Sequence, residues 1–165
     1  MIIIAYGANL PSHAGDPRDT FKAARDALET AGIVIAAQSS LWETAPVDTP
    51  DEQPWYTNAV WSVETGLAAG ELLETLHRIE AQFGRTRGIK NAARPIDLDL
   101  IDYHGTVLSG AGGPVLPHPR MHERAFVLKP LEEINESWTH PVSGHALAHL
   151  IALLPSGQQF RRIGA

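Results

Sequence analysis

Tyr56-Thr57-Asn58-Ala59-Val60-Trp61-Ser62-Val63-Glu64-Thr65 alternates without a break. On an extended chain Tyr56, Asn58, Val60 and Ser62 share one face, and Thr57, Ala59, Trp61 and Val63 share the other. The segment therefore reads as a strand, and its place in the chain decides the fold, because helix and strand signals flank it on both sides. Upstream, Ile2 to Tyr6 is a short apolar run ending at Gly7, read as a buried strand. Asp16-Pro17-Arg18-Asp19 then opens a helix, with Asp16 as cap, Pro17 in the first turn and Asp19 at the positive end of the dipole. Phe21, Ala24, Leu28 and Ala31 give that helix one apolar face, and Gly32 stops it.

Ile33 to Trp42 reads as a further strand, and Glu43 to Pro54, rich in proline and acidic residues, as a long loop. Downstream of the alternating segment, Leu72, Leu76, Ile79 and Phe83 recur at helical spacing over Glu71 to Phe83, and Gly84 ends the helix. The basic stretch Arg85 to Arg94 has no hydrophobic period and reads as a mobile loop. Ile96 to Tyr103 resumes strand character. Gly105 to Val107 reads as a turn into a short partner strand, Gly110 to Pro119 as loop, Glu123 to Glu133 as a partly formed helix and His145 to Leu154 as a last helix. The order strand, helix, strand, strand, helix, strand is the ferredoxin-like pattern. It predicts an α+β fold with a mainly antiparallel sheet and helices packed on one face, in a single domain over residues 1–165.

Hydrophobic residues make up 44% and charged residues 19% of the 165, the balance of an ordinary globular protein. The absence of cysteine excludes thiolate nucleophiles, disulfides and zinc-thiolate sites. The first residues carry no basic leader, and no apolar run reaches the ~20 residues of a membrane span, so a cytoplasmic chain with no membrane partner is expected. A net charge of −6 argues against general nucleic-acid binding. Arg85, Arg87, Lys90 and Arg94 nevertheless crowd one stretch, and Arg120 and Arg124 another. Two local basic patches on an acidic chain suit a small polyanion such as a nucleoside triphosphate. No G-x-G-x-x-G opens the first helix and no G-x-x-x-x-G-K-[ST] occurs, so phosphate must be held by other means.

The sharpest chemical signal is Arg94-Pro95-Ile96-Asp97-Leu98-Asp99-Leu100. On a strand Asp97 and Asp99 project together, about 6.6 Å apart at Cα, while Leu98 and Leu100 turn to the core. Such a pair can hold Mg2+, or two ions, against a polyphosphate. Alone it reads more readily as a half-exposed strand with a solvated Asp face; the flanking arginines favour the site. Tyr56 and Asn58 offer an aromatic surface beside an amide, a combination that recognises a flat heterocycle with a hydrogen-bonding edge. His77 and Glu80, three apart on the second helix, read from spacing alone as rim residues. The pairs His118/His122 and His145/His149 lack a third ligand at metal-site spacing.

Taken in order, Gly7-Ala8-Asn9-Leu10, Tyr56-Thr57-Asn58, Arg78 to Arg85, Arg94 to Asp99 and Pro117 to Phe126 resemble the motifs of the 6-hydroxymethyl-7,8-dihydropterin pyrophosphokinases. The resemblance implies transfer of the β,γ-diphosphoryl group of ATP to a pterin alcohol; a monomer whose partners are those two small molecules is expected. It implies that Asp97 and Asp99 hold two Mg2+ ions, and that Arg85 and Arg87 lie on a closing catalytic loop. Arg94, His118 and Arg124 would contact phosphates, with His77, Glu80 and Leu100 on the nucleotide side. Tyr56 and Phe126 would sandwich the pterin, its edge read by Asn58 and by the backbone of Thr44, Ala45, Pro46 and Val47. Three positions depart from the family pattern. Ala8 stands for a serine, Lys90-Asn91-Ala92-Ala93-Arg94 lacks the loop aromatic, and Pro119 follows the histidine.

Overall fold

The computed structural model describes residues 1–46, 52–86 and 92–164. Along them run β1 (Ile2–Ala8), α1 (Pro17–Thr30), β2 (Val34–Gln38), β3 (Leu41–Thr44), β4 (Tyr56–Glu64), α2 (Ala69–Gln82) and β5 (Asp97–Tyr103). There follow β6 (Leu108–Ser109), β7 (Val115–Leu116), a 3-10 turn at Met121–Glu123, α3 (Ala125–Ile134), α4 (Leu147–Ala152) and β8 (Phe160–Gly164). In the main sheet β5, β1, β4, β3 and β8 are successive neighbours and β2 also pairs with β4, every pairing being antiparallel.

The strand expected from Ile33 to Trp42 is broken at Ser39 and Ser40. β2 pairs with the Trp61–Glu64 half of β4, and β3 with the Tyr56–Asn58 half. Ser39 Oγ accepts from Val60 N at 2.9 Å across the break. α1 begins as its sequence demands, with Asp16 Oδ1 accepting from Arg18 N at 2.8 Å and Asp19 N at 3.0 Å. α2 begins two residues before Glu71, whose Oε2 accepts from Ala68 N at 2.8 Å.

α1 and α2 cover one face of the sheet. Phe21, Ala24, Leu28, Leu72, Leu76 and Ile79 pack there on Ile2, Ile4, Tyr6, Ala59, Trp61, Val63, Leu98 and Leu100. The expectation of helices on one face describes this pair and leaves out a second layer. Ile3, Ala5, Val60 and Ile101 form an apolar area on the opposite face, packed by Val127, Leu128 and Leu131 of α3, Leu147 and Leu150 of α4, and Trp138. The cause lies in β1, which is apolar on both sides and must be covered twice. A bulge lets Leu100 oppose Ile4 while Asp102 opposes Ile3. Asp102 is buried, and its Oδ2 accepts from Trp138 Nε1 at 2.8 Å, tying the second layer to β5.

β7 lies inside the stretch expected to be loop, where it pairs with β6. β8, absent from the sequence reading, pairs with β3 and is held by Arg161 on Glu43 (2.5 Å). Among the described residues no helix is long and apolar enough to cross a membrane.

Candidate active site

α3 and α4 cover only part of their face, and the remainder forms a cavity of about 400 Å3. Strand register builds its floor. Gly7 of β1 stands opposite Asn58 of β4 on one side and Asp97 of β5 on the other, and Ala5 stands opposite Val60 and Asp99. The small residues matter: a Cβ at Gly7 would lie 3.2 Å from Asn58 Oδ1, closing the trough between the amide and the carboxylate. Thr44, Ala45, Pro46, Tyr56, Asn58 and Phe126 wall one part of the cavity; Arg94, Asp97, Asp99 and Arg124 also line it.

The carboxylates are already in contact with cations. Arg85 bridges Glu80 and Asp97, reaching Asp97 Oδ1 at 2.5 Å, and Arg94 Nη1 lies 3.1 Å from Asp97 Oδ2. Arg124 Nη1 is 3.6 Å and His118 Nε2 3.9 Å from Asp99 Oδ2. Burial, then the neighbouring Asp97, push the Asp99 carboxyl up to about 7, against the opposing pull of Arg124. Burial and Arg124 push His118 down to about 4. Its ring is therefore neutral at neutral pH, and because Nδ1 accepts from Arg120 N at 3.2 Å, Nε2 carries the proton and faces the site. Burial also holds Arg124 below its ordinary value, with Asp99 offsetting and Arg120 adding to the effect. For Arg94 burial acts downward, but Asp97 and Tyr56 outweigh it and the net shift is upward. Arg94 Nε is buried and, among the described residues, has no hydrogen-bond partner.

These features fit a magnesium-polyphosphate ligand. Two adjacent carboxylates, one of them driven toward protonation by burial and then by the other, lower their mutual repulsion by taking a divalent cation between them. Among the described residues no group of three or more His, Asp or Glu side chains is placed to hold a metal. Two carboxylates suit magnesium, which commonly completes its octahedron with phosphate oxygens and water.

Glu80 corrects the rim reading made from spacing. It is 2% exposed, because Oε1 accepts from the main-chain N of Leu98 at 2.7 Å while the same carboxylate holds Arg85. Glu80 thus joins α2 to β5 and aims Arg85 at Asp97. Glu80→Ala is expected to cost about 3 kcal/mol by urea denaturation, since it strands a buried amide and removes one anion from Arg85; a loss below about 1 kcal/mol would count against this role. His77 is half-buried on α2, and neither it nor His118 is part of the cavity lining, although His118 Nε2 reaches Asp99 Oδ2 at its edge. Leu100 is 4% exposed in the core, which leaves its main chain as the part able to meet a nucleotide. Arg87 and Val47, with Lys90 and Asn91, lie outside the described residues.

At the aromatic end, Asn58 Nδ2 donates to Thr44 Oγ1 at 2.8 Å. The Arg94 guanidinium lies 5.6 Å from the centre of the Tyr56 ring, and that of Arg124 5.3 Å from Phe126. Sequence reasoning missed the buried side chain of Asn9. Its Oδ1 accepts from Arg94 N at 2.9 Å, and its Nδ2 donates to Gln53 Oε1 and Pro54 O, so that it ties three segments together. It also missed the wall made by Pro155, Ser156, Gly157 and Gln158, which no local pattern announces. The first histidine pair parts company, His118 facing Asp99 while His122 meets His140 edge-on, whereas His145, just before α4, keeps its ring 4.7 Å from that of His149.

Compared with known proteins, residues 3–136 match the family described as 7,8-dihydro-6-hydroxymethylpterin-pyrophosphokinase. The chain is 34% identical over 155 residues to the 2-amino-4-hydroxy-6-hydroxymethyldihydropteridine pyrophosphokinase of Pseudomonas aeruginosa, covering 93% of this chain and 91% of that one. With the protein of the same name from Bacillus subtilis it shares 39% identity over 133 residues, 79% of this chain and 77% of the other. It is also 35% identical over 99% of its length to the mitochondrial folate synthesis bifunctional protein of Arabidopsis thaliana, of which it spans 28%. It spans similarly small shares, 28% and 19%, of the related proteins of Pisum sativum and Pneumocystis carinii.

Proposed function

Because this chain belongs to the 7,8-dihydro-6-hydroxymethylpterin-pyrophosphokinase family, we propose that it transfers diphosphate from Mg-ATP to 6-hydroxymethyl-7,8-dihydropterin, giving AMP and the pterin diphosphate, in folate biosynthesis. One observation carries the reading: a single cavity joins a carboxylate-arginine end to an aromatic-amide end. A nucleotide polyphosphate suits the first and a flat pterin the second.

The acceptor's hydroxymethyl oxygen attacks the β-phosphorus. The bond from that phosphorus to the α,β-bridging oxygen breaks, AMP departs, and the hydroxyl proton is lost to solvent. Such displacements need alignment and charge neutralisation more than a strong protein base. Asp97 and Asp99 would hold two Mg2+ ions, which would supply charge neutralisation to the polyphosphate. In the free protein Arg85, Arg94 and Arg124 lie against those same carboxylates, so ligand binding is an exchange of partners. On this reading the aspartates would release the arginines to take the cations that accompany ATP, and the arginines would pair with phosphate oxygens. The orphaned Arg94 Nε gains a partner in that exchange. His118 would offer a neutral N–H to a phosphate oxygen, and Arg87 would add its charge. Glu80 positions Arg85, and His77 and the Leu100 main chain stand on the nucleotide side. Tyr56 and Phe126 stack on the pterin, while Asn58 and the backbone of Thr44, Ala45, Pro46 and Val47 read its edge.

On this reading the unit at work is one domain over 1–165, a cytoplasmic monomer. Incubation with Mg-ATP and the pterin alcohol, followed by mass spectrometry, is expected to show AMP and pterin diphosphate rising together. Inorganic phosphate without pterin diphosphate would point instead to a phosphohydrolase. Pterin binding without AMP would point to a binding module that has lost catalysis.

A further inference from the structure

α3 starts without a cap of its own. Arg124 occupies the capping position with extended dihedrals (φ −112°, ψ 108°) and makes no side-chain capping hydrogen bond. A guanidinium has no acceptor to offer, so the first amides of the helix need one from elsewhere. The C-terminal segment supplies it. Gln158 Oε1 accepts from Ala125 N at 3.0 Å, and Gln158 Nε2 donates to Glu123 O at 2.9 Å. One side-chain amide thus holds the main chain on both sides of Arg124.

The same segment reaches the opposite wall. Gln159 O accepts from Ala45 N at 2.9 Å, and Phe160 then pairs with Thr44 as β8 begins. Gly157, at φ 92°, makes the turn that presents Gln158 to α3, a conformation that other residues adopt at a cost. Residues 155–159 therefore run from the wall that holds Thr44, Ala45 and Pro46 to the start of the helix that carries Arg124 and Phe126.

We infer that Gln158 is a positioning residue for the acceptor end of the cavity, fixing the start of α3, and with it Phe126, against the Thr44 to Pro46 wall. The inference rests on the functional reading above and deepens it. The near-isosteric Gln158→Met removes both hydrogen bonds, while Gln158→Glu returns an acceptor to Ala125 N. In the full-length free protein, amide exchange at Ala125 should be about tenfold faster in Gln158→Met and close to wild type in Gln158→Glu. The Kd for 6-hydroxymethyl-7,8-dihydropterin should rise about tenfold in Gln158→Met. That for magnesium with a non-hydrolysable ATP analogue, which also has Arg85 and Arg94, should rise less than about threefold.

Unchanged exchange at Ala125 in Gln158→Met would overturn the inference. Equal weakening of both ligands would do the same, since it would reduce Gln158 to general support of the fold. A wild-type protein that bound no pterin would overturn the functional reading, and the exchange measurement would still decide whether Gln158 holds the start of α3.

Discussion

Asp99→Asn is expected to lose turnover by about a thousandfold or more, yet to melt no lower than the wild type in magnesium-free buffer. The two effects have one cause. The Asp99 carboxylate is held where burial and the Asp97 charge disfavour ionisation, and its carboxyl is pushed up to about 7. A group arranged in that way opposes the free fold at neutral pH. Between about pH 4 and 7 the folded chain binds a proton at Asp99 that the unfolded chain does not. This group's contribution to stability therefore falls as pH rises through that window. Asparagine has no such titration, so the difference in melting temperature should move in the variant's favour from pH 4 to pH 7.

Asp97→Asn should lose activity to a similar degree but melt below wild type, because Arg85 and Arg94 both lean on Asp97 and would face each other without its charge. Paired differential scanning calorimetry and turnover measurements separate the two. Near-normal turnover in either variant, or the opposite order of stabilities, would break the assignment of these carboxylates to the polyphosphate end.

The same contrast shows how far the sequence could be read. Period-two alternation placed Asp97 and Asp99 on one face and Tyr56 and Asn58 on one face, because side-chain direction on a strand is a local property. It could not tell that the two faces are the same trough; that follows from Gly7 standing between Asn58 and Asp97 in register, a non-local fact. Glu80 illustrates the limit in a helix. Its spacing set it beside the apolar stripe, but its burial depends on the Leu98 amide and on Arg85, both outside α2.

The second helical layer was half legible. A continuous apolar run from Ile2 to Tyr6 implies burial on both faces, so an element had to cover the side that α1 and α2 do not reach. β8 was not legible, since Phe160-Arg161-Arg162-Ile163 has no strand-like alternation of its own. It is held by pairing with β3 and by the Arg161–Glu43 and Arg162–Ser40 contacts. Gln158 acts through a hydrogen bond to a helix start 33 residues away, and its own neighbours give no sign of it.

Phe126→Ala is expected to weaken pterin binding by about ten- to a hundredfold, the range of a lost ring-to-base stack, and to leave the affinity for a magnesium-bound ATP analogue within about threefold. Phe126 is only partly buried, at the edge of the apolar cluster under α3, so most of the effect should appear in binding and little in stability. Phe126→Leu supplies the control: it keeps apolar volume against that cluster and removes the aromatic face. If the ring stacks on the pterin, Phe126→Leu should lose most of the affinity that Phe126→Ala loses while melting close to wild type. Tyr56 allows a sharper test. Two rings that hold one heterocycle from opposite sides depend on each other, since removing the first lets the ligand shift and weakens its grip on the second. The losses for Tyr56→Ala and Phe126→Ala should therefore be non-additive in a double-mutant cycle read by pterin titration. Strict additivity, or equal loss of pterin and nucleotide in Phe126→Ala, would rule out the sandwich and leave the ring as part of the wall alone.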